Sequence, residues 1–179
     1  MLKANAKIVI NDEITLKRFA HDIDDVKFKT IQSNRDHLLP WLPWVNNIYF
    51  PTQVRLFTEN QIKEFNHGRI FGYNIFFNNV FVGSIVIYDV SERNHNCKLG
   101  YWLDKLYRGK GIATQCAATL IDYAFASLNM HRIEIRTAVG NEASIALAKR
   151  LNFTKEAILH DEQYLIDRYY DSIIYAKIR

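Results

Sequence analysis

The sequence predicts a mixed α+β fold: a mostly antiparallel sheet of six to seven strands with one central parallel crossover, flanked by four to five helices. Three observations carry this prediction. From residue 70 the apolar period becomes two over residues 70–77, 80–88 and 97–103, and short links between these runs make an antiparallel meander. Ile112, Cys116, Leu120, Ala124 and Leu128 then recur every four residues, which lays one apolar stripe along a helix of about five turns. A further strand follows at 131–139, and the strand, helix, strand passage from 97 to 139 is long enough for a right-handed parallel crossover.

The remaining elements follow in order. Residues 14–19 alternate as a first strand, and residues 21–34 carry Ile23, Val26 and Ile31 at helical spacing behind Asp22 or Asp24 as entry residue. His37-Leu38-Leu39-Pro40-Trp41-Leu42-Pro43-Trp44 breaks regular structure with two prolines and brings two tryptophans that are costly to leave exposed. Residues 51–67 read as a helix, with proline at its start and Gly68 at its end. Asn78-Asn79 tolerates positive φ and suits a tight hairpin between the strands at 70–77 and 80–88. A shorter helix at 141–152 and strands at 153–165 and 168–178 complete the chain, which shows no linker or repeat, so one domain is expected over 1–179.

Composition narrows the class. Seven glycines, three prolines and 49% hydrophobic residues exclude collagen-like, linker-like and low-complexity chains. At 179 residues, roughly two thirds of the unfolded surface can be buried. Cys97 and Cys116 are too few for a disulfide framework, no apolar run reaches the length of a membrane span, and residues 1–13 lack a signal-peptide core. A soluble cytoplasmic domain with no membrane association is expected. The net charge of +4 is scattered, with no basic run longer than Lys17-Arg18 or Lys149-Arg150, so no nucleic-acid partner is expected. The six histidines form no His-Glu-x-x-His pair, no Gly-x-Ser-x-Gly elbow is present, and Cys116 falls on the buried helical stripe. No metal is expected.

In a chain so sparing of glycine, the turn Tyr107-Arg108-Gly109-Lys110-Gly111-Ile112-Ala113-Thr114 stands out, because it joins a strand directly to the long helix. Its glycines can aim several backbone N–H groups at one point, at a helix N-terminus with its positive dipole end. Arg108 and Lys110 add positive charge for a phosphate. A dinucleotide fingerprint would open the chain and carry an acid about twenty residues on, and a Walker loop would place Gly-Lys before Ser or Thr. Neither fits; a plain tight turn remains the other reading.

The pattern Arg-x-x-Gly-x-Ala, between a Gly-Tyr-Trp-Leu strand and an amphipathic helix, resembles the acetyl-coenzyme A loop of the GNAT acetyltransferase superfamily. The run from Asn34 to Trp44, Leu99-Gly100-Tyr101-Trp102-Leu103-Asp104, Asn141-Glu142-Ala143-Ser144, Leu151-Asn152-Phe153 and Tyr170-Asp171-Ser172 resemble the RimJ/RimL-type ribosomal-protein N-acetyltransferases. The resemblance runs from about residue 12 to the C-terminus. It implies transfer of acetyl from acetyl-CoA to a primary amine, with the N-terminal α-amine of a protein such as a ribosomal protein as acceptor. A polyamine or antibiotic amine is the alternative acceptor, and a coenzyme A-binding module without turnover is the alternative class. A homodimer is also implied.

Carried over residue by residue, the resemblance assigns Arg108, Gly109, Lys110, Gly111, Ile112 and Ala113 to the pyrophosphate, and Trp102 and Leu103 to the pantetheine arm. Asn141 falls near the cofactor in the family and equally suits a helix N-cap. Ser144 matches a serine that protonates the departing thiolate; a solvated first-turn serine is the other reading. His37, Trp41 and Trp44 fall in the segment that covers the acceptor groove, or simply pack. RimL-type relatives carry a glutamate base where alignment on Tyr164-Leu165 places Gln163, so Glu162 and Tyr164 are the remaining candidates for that part of the chemistry. Glu162 points away in a regular strand unless a bulge re-aims it.

Overall fold

The computed structural model describes residues 6–179; residues 1–5, which open both the expected domain and the segment expected to lack a signal-peptide core, lie outside the described residues. Eight strands form one sheet in the order β1-β2-β3-β4-β5-β6-β8-β7. They are β1 (Lys7–Val9), β2 (Ile14–Arg18), β3 (Phe71–Phe77), β4 (Val80–Ser91), β5 (Asn96–Leu103), β6 (Arg132–Ala138), β7 (Thr154–Leu165) and β8 (Arg168–Ile178). Every neighbouring pair is antiparallel except β5 and β6, the expected central crossover. The sheet has one strand more than six to seven. The extra strand, β1, is three residues long at the sheet edge, too short for a period of two to signal.

Five α-helices accompany the sheet: α1 (Asp24–Ser33), α2 (Arg35–Leu38), α3 (Pro51–Asn66), α4 (Ile112–Ala126) and α5 (Glu142–Arg150). The helix expected over 21–34 opens instead with a 3-10 turn, His21–Ile23, before α1. Asn78 and Asn79 take φ of 48° and 63°, the mirror-image turn that matches the twist of β3 and β4. The stripe on α4 is buried as its spacing required: Ile112, Cys116, Leu120 and Ala124 are each at most 1% exposed and pack with Cys97, Leu99, Ile133 and Ile135 of the crossover. Burying one such leucine contributes about 1.5–3 kcal/mol.

A smaller core of Ile31, Leu38, Val45, Ile48 and Val54 packs α1, α2 and α3 together, and Trp44 and Trp102 lean on it. Arg35 Nη1 donates to the carbonyls of Val45 and Ile48 at 2.9 and 3.0 Å and so pins the Pro-Trp segment. Buried Asn34 accepts a 2.8 Å hydrogen bond from the backbone N–H of Lys105, which ties the α1–α2 corner to the turn that follows β5. His37 and Trp41 are thereby held beside that strand end.

Candidate active site

The parallel ladder between β5 and β6 lasts only three residue pairs, Asn96 to Lys98 against Arg132 to Glu134. Beyond it the strands run on to Leu103 and Ala138 without pairing with each other, so the sheet splits at its centre. Gly83 on β4 sets the edge of this split. A Cβ there would come within 2.2 Å of the Trp102 carbonyl oxygen, so only glycine allows β4 to support β5 so closely.

Two cavities open at the split. The first, about 640 Å³, is lined by Trp102 and Leu103 of β5, by Arg108, Gly109 and Gly111, by the first turn of α4, and by Asn141 and Ser144. Gly111 is the N-cap of α4 with φ of 75°, and no side chain among the described residues caps this helix. The first N–H groups of α4 therefore lack intrahelical partners and face the cavity end with the helix's positive pole. Gly109 also has positive φ, at 77°, and a Cβ on it would meet no protein atom within 4 Å. Left-handed backbone at both glycines, open space at Gly109 and only an ordinary contact to Gln115 Nε2 at Gly111 fit an anion pressed against the turn; a diphosphate-bearing ligand suits the donors.

The second cavity, about 400 Å³, lies on the other side of the split and holds Gly100, Arg136, Thr137, Glu162 and Gln163. Trp41, Leu42, Tyr101, Asn141 and Ser144 line both cavities. At this junction the Tyr101 hydroxyl and Ser144 Oγ are 2.8 Å apart. Burial holds the Tyr101 phenol above its ordinary pKa, against the opposing effect of the Ser144 hydrogen bond. The pair is thus two neutral hydroxyls able to pass a proton along. Asn141 Oδ1 accepts from the Ser144 backbone N–H at 3.3 Å, so the asparagine caps α5 and also lines the site.

Sequence periodicity alone left Tyr101 without a direction, and it is the residue of the junction that was missed. Its signal was its place two residues before Leu103, on the strand that leads to the glycine turn.

β7 is not regular here: it carries a bulge at 160–162. Leu159 pairs with Ser172 and Gln163 with Tyr170, so residues 160–162 face Asp171 alone. The Asp171 carboxylate holds the bulge by accepting from the Asp161 N–H at 3.1 Å and lying 3.0 Å from His160 Nδ1, while Asp161 takes φ of 50°. Regular alternation would put Glu162 and Gln163 on opposite faces; the bulge brings both to the second cavity. Glu162 lies 3.4 Å from Arg136 Nη1, and Gln163 Nε2 donates to the buried Ser172 hydroxyl at 2.9 Å.

The other expected site residues divide between those that line the cavities and those that do not. Tyr164 is 56% exposed, packs edge-on against Tyr169, and lines neither cavity. Lys110 turns away from the first cavity to lie over the rings of Phe77 and Tyr107. Trp44 lines neither cavity; it stacks on Phe57 and abuts Trp102, supporting the β5 edge from behind. His37 lies on the first cavity and not the second, with its pKa lowered by burial and then by Arg108 and Lys105. Trp41 stands at the junction, its ring tip 3.8 Å from where a Gly140 Cβ would be. Among the described residues no cluster of three His, Cys, Asp or Glu is placed to hold a metal, and no helix is long and apolar enough to cross a membrane.

A split parallel pair, an uncapped helix under a two-glycine turn and a hydroxyl pair between two cavities define a site for acyl transfer from a large anionic thioester. Residues 13–154 match the sequence profile of the acetyltransferase (GNAT) domain, and the chain belongs to that family: it is an acetyl-CoA-dependent N-acetyltransferase. It is 27% identical over 174 residues to the putative ribosomal N-acetyltransferase YdaF of Bacillus subtilis, covering 95% of this chain and 93% of that one. Among solved structures it resembles RimL, the ribosomal L7/L12 α-N-protein acetyltransferase in complex with coenzyme A, with TM-score 0.94, 26% identity, and 96% and 97% of the two chains covered. It also resembles the microcin C7 self-immunity acetyltransferase MccE in complex with acetyl-CoA and AMP, with TM-score 0.93, 26% identity, and 99% and 98% coverage.

Proposed function

We propose that this enzyme acetylates the N-terminal α-amine of a protein, with a ribosomal protein as the acceptor class, by direct attack in a ternary complex. The observation that carries the reading is the Tyr101–Ser144 hydroxyl pair shared by the two cavities, where one cavity suits a long anionic cofactor and the other is open to an acceptor. Acetyl-CoA supplies a thioester whose carbonyl carbon accepts an amine. Backbone N–H groups of Gly109, Gly111, Ile112 and Ala113, with Arg108, hold its pyrophosphate, and the unpaired edge at Trp102 and Leu103 holds the pantetheine arm.

Ser144 Oγ–H protonates the departing thiolate and regains its proton from the Tyr101 hydroxyl, which in turn takes up the proton that Glu162 removes from the amine. A backbone N–H of the split strand near Trp102 or Leu103 meets the developing oxyanion. An α-amine with pKa near 8 is already partly neutral at pH 7.5, whereas a lysine amine near 10.4 is about one part in a thousand neutral. The first needs only a weak base, which Glu162 supplies directly or through water. Gln163, anchored on Ser172, positions the acceptor rather than taking its proton.

On the wall of the second cavity Lys98 is paired with Asp89, and Arg136 with Glu134 and Glu162, so no cluster of free carboxylates is offered to a polyamine. A second reading places a small-molecule amine in this cavity; the structural neighbour MccE was solved with acetyl-CoA and AMP. As part of the leading reading, the chain acts as one catalytic domain over 1–179, in the cytoplasm, as a homodimer.

Thiol release from acetyl-CoA, measured with peptides bearing free N-termini, the same peptides blocked but carrying lysine, spermidine, and an amine-bearing nucleotide, separates these readings. The proposal requires turnover with the free N-termini. Transfer confined to another arm overturns the acceptor assignment, and cofactor binding without turnover on any amine overturns the catalytic one.

A further inference from the structure

One group on the wall of the second cavity has no partner. Thr137 continues the row of Ile133 and Ile135 on β6, both 1% exposed, where an aliphatic side chain would suit the buried face. It is 4% exposed, and its Oγ1 has no hydrogen-bond partner among the described residues. Comparable buried polar groups nearby are satisfied: Ser172 by Gln163, and Ser84 by Asn74. A buried hydroxyl left without a partner in the protein is uncommon and calls for something outside the chain.

Its position says what that is. Extending the β5–β6 register past Lys98 and Glu134 would set Thr137 opposite Tyr101, but the strands have parted there, and Thr137 keeps only its β8 neighbour, Ile173. Thr137 lines the second cavity with Tyr101, Ser144 and Gln163, and not the first, its Oγ1 buried in that wall. The charged groups on that wall are Lys98, Arg136 and Glu162, and they are already paired: Lys98 with Asp89 at 2.7 Å, and Arg136 with Glu134 at 3.2 Å and Glu162 at 3.4 Å. With these charges paired among themselves, the group on this wall left to meet an acceptor amine is a neutral hydroxyl.

We propose that Thr137 Oγ1 accepts a hydrogen bond from the acceptor's primary amine, steadying the nitrogen beside the Tyr101–Ser144 junction. This rests on the acetyl-transfer reading but not on which amine is the natural acceptor. No bond is made to Thr137, and the amine proton leaves by the route given above.

The test compares T137V, which keeps the shape and loses the hydroxyl, with T137S, which keeps the hydroxyl. For T137V the acceptor KM should rise about tenfold, the effect of one lost hydrogen bond, with acetyl-CoA Kd unchanged and thermal stability equal to or above wild type. T137S should return KM to within about threefold of wild type. Unchanged acceptor KM in folded T137V, or a matching rise in acetyl-CoA Kd, overturns the proposal. If T137V does not fold, T137A against T137S gives the same comparison. Wild-type turnover of spermidine but not of free peptide N-termini would end the acceptor reading alone, since Thr137 is then tested on spermidine; wild-type turnover with an unaffected T137V ends this proposal alone.

Discussion

Gly111→Ala separates the cost of a strained backbone from the loss of a ligand site. Gly111 has φ of 75° and ψ of 0°, and an added Cβ would meet only Gln115 Nε2, at 3.8 Å, an ordinary contact. The stability loss therefore comes from the left-handed conformation alone, roughly 1–2 kcal/mol for a residue with a Cβ. At this chain length each kcal/mol moves Tm by roughly 2–4 °C, so a fall of about 2–8 °C is expected. Coenzyme A affinity should fall much further, because the Cβ enters the space where phosphate oxygens approach the uncapped N–H groups of α4. Losing two hydrogen bonds to a charged group, at about 1.5–3 kcal/mol each, weakens Kd more than about 100-fold. Gly68→Ala supplies the control: Gly68 has φ of 72°, nothing within 4 Å of its Cβ position, and a place at the end of α3 outside both cavities. Calorimetric titration with coenzyme A and thermal melts of both variants decide the matter. Equal Tm losses with Kd weakened only in Gly111→Ala are expected; a folded Gly111→Ala with wild-type Kd would refute the assignment of the turn to the pyrophosphate.

Three further outcomes are expected. Ser144→Ala and Tyr101→Phe should each lower kcat about 10–100-fold with coenzyme A Kd nearly unchanged, and the double variant should lose little more than either alone, as residues acting as one relay do; additive losses in steady-state kinetics would show separate roles. Gly83→Ala should destabilise the protein by more than about 2 kcal/mol and weaken coenzyme A binding as well, since its Cβ collides with the Trp102 carbonyl; a melt and titration like wild type would contradict this. Lys27, 2% exposed, has its pKa lowered to about 8, mainly by burial and against the pull of Asp24. Its folded pKa lies below its unfolded value, so the penalty is complete below pH 8 and is relieved as pH rises through about 8 to 10.5, raising stability by about 3 kcal/mol. Lys27→Met should remove that rise relative to wild type in urea unfolding at pH 7.5 and 10.

How far these features were legible in the sequence depended on how local their causes are. The glycine turn could be read because both glycines serve a conformation their own φ imposes, and α4 because its stripe repeats without interruption. Asn141 could be read in either of its senses, and it holds both positions. Tyr101 could not be read, since its direction depends on a strand split that only the departure of β6 from β5 creates. The approach of Glu162 and Gln163 to one cavity depends on a bulge held by Asp171 across the hairpin, a contact no period reveals. Trp44 and Lys110 looked like site residues by type, but each was taken up by aromatic neighbours distant in sequence, Phe57 and Trp102 for one and Phe77 for the other. Thr137 was hidden in an apolar row, where a single hydroxyl reads as ordinary strand composition.

The two cavities meet at Tyr101 and Ser144, where we propose that an α-amine entering one takes the acetyl group held in the other. Mass spectrometry of a peptide with both a free N-terminus and an internal lysine, incubated with acetyl-CoA and the wild-type enzyme, tests it most directly. The expected result is a single acetyl group on the α-amine, matched by one released thiol for each peptide modified. Acetylation of the lysine instead, or an unmodified peptide beside tightly bound coenzyme A, would contradict it.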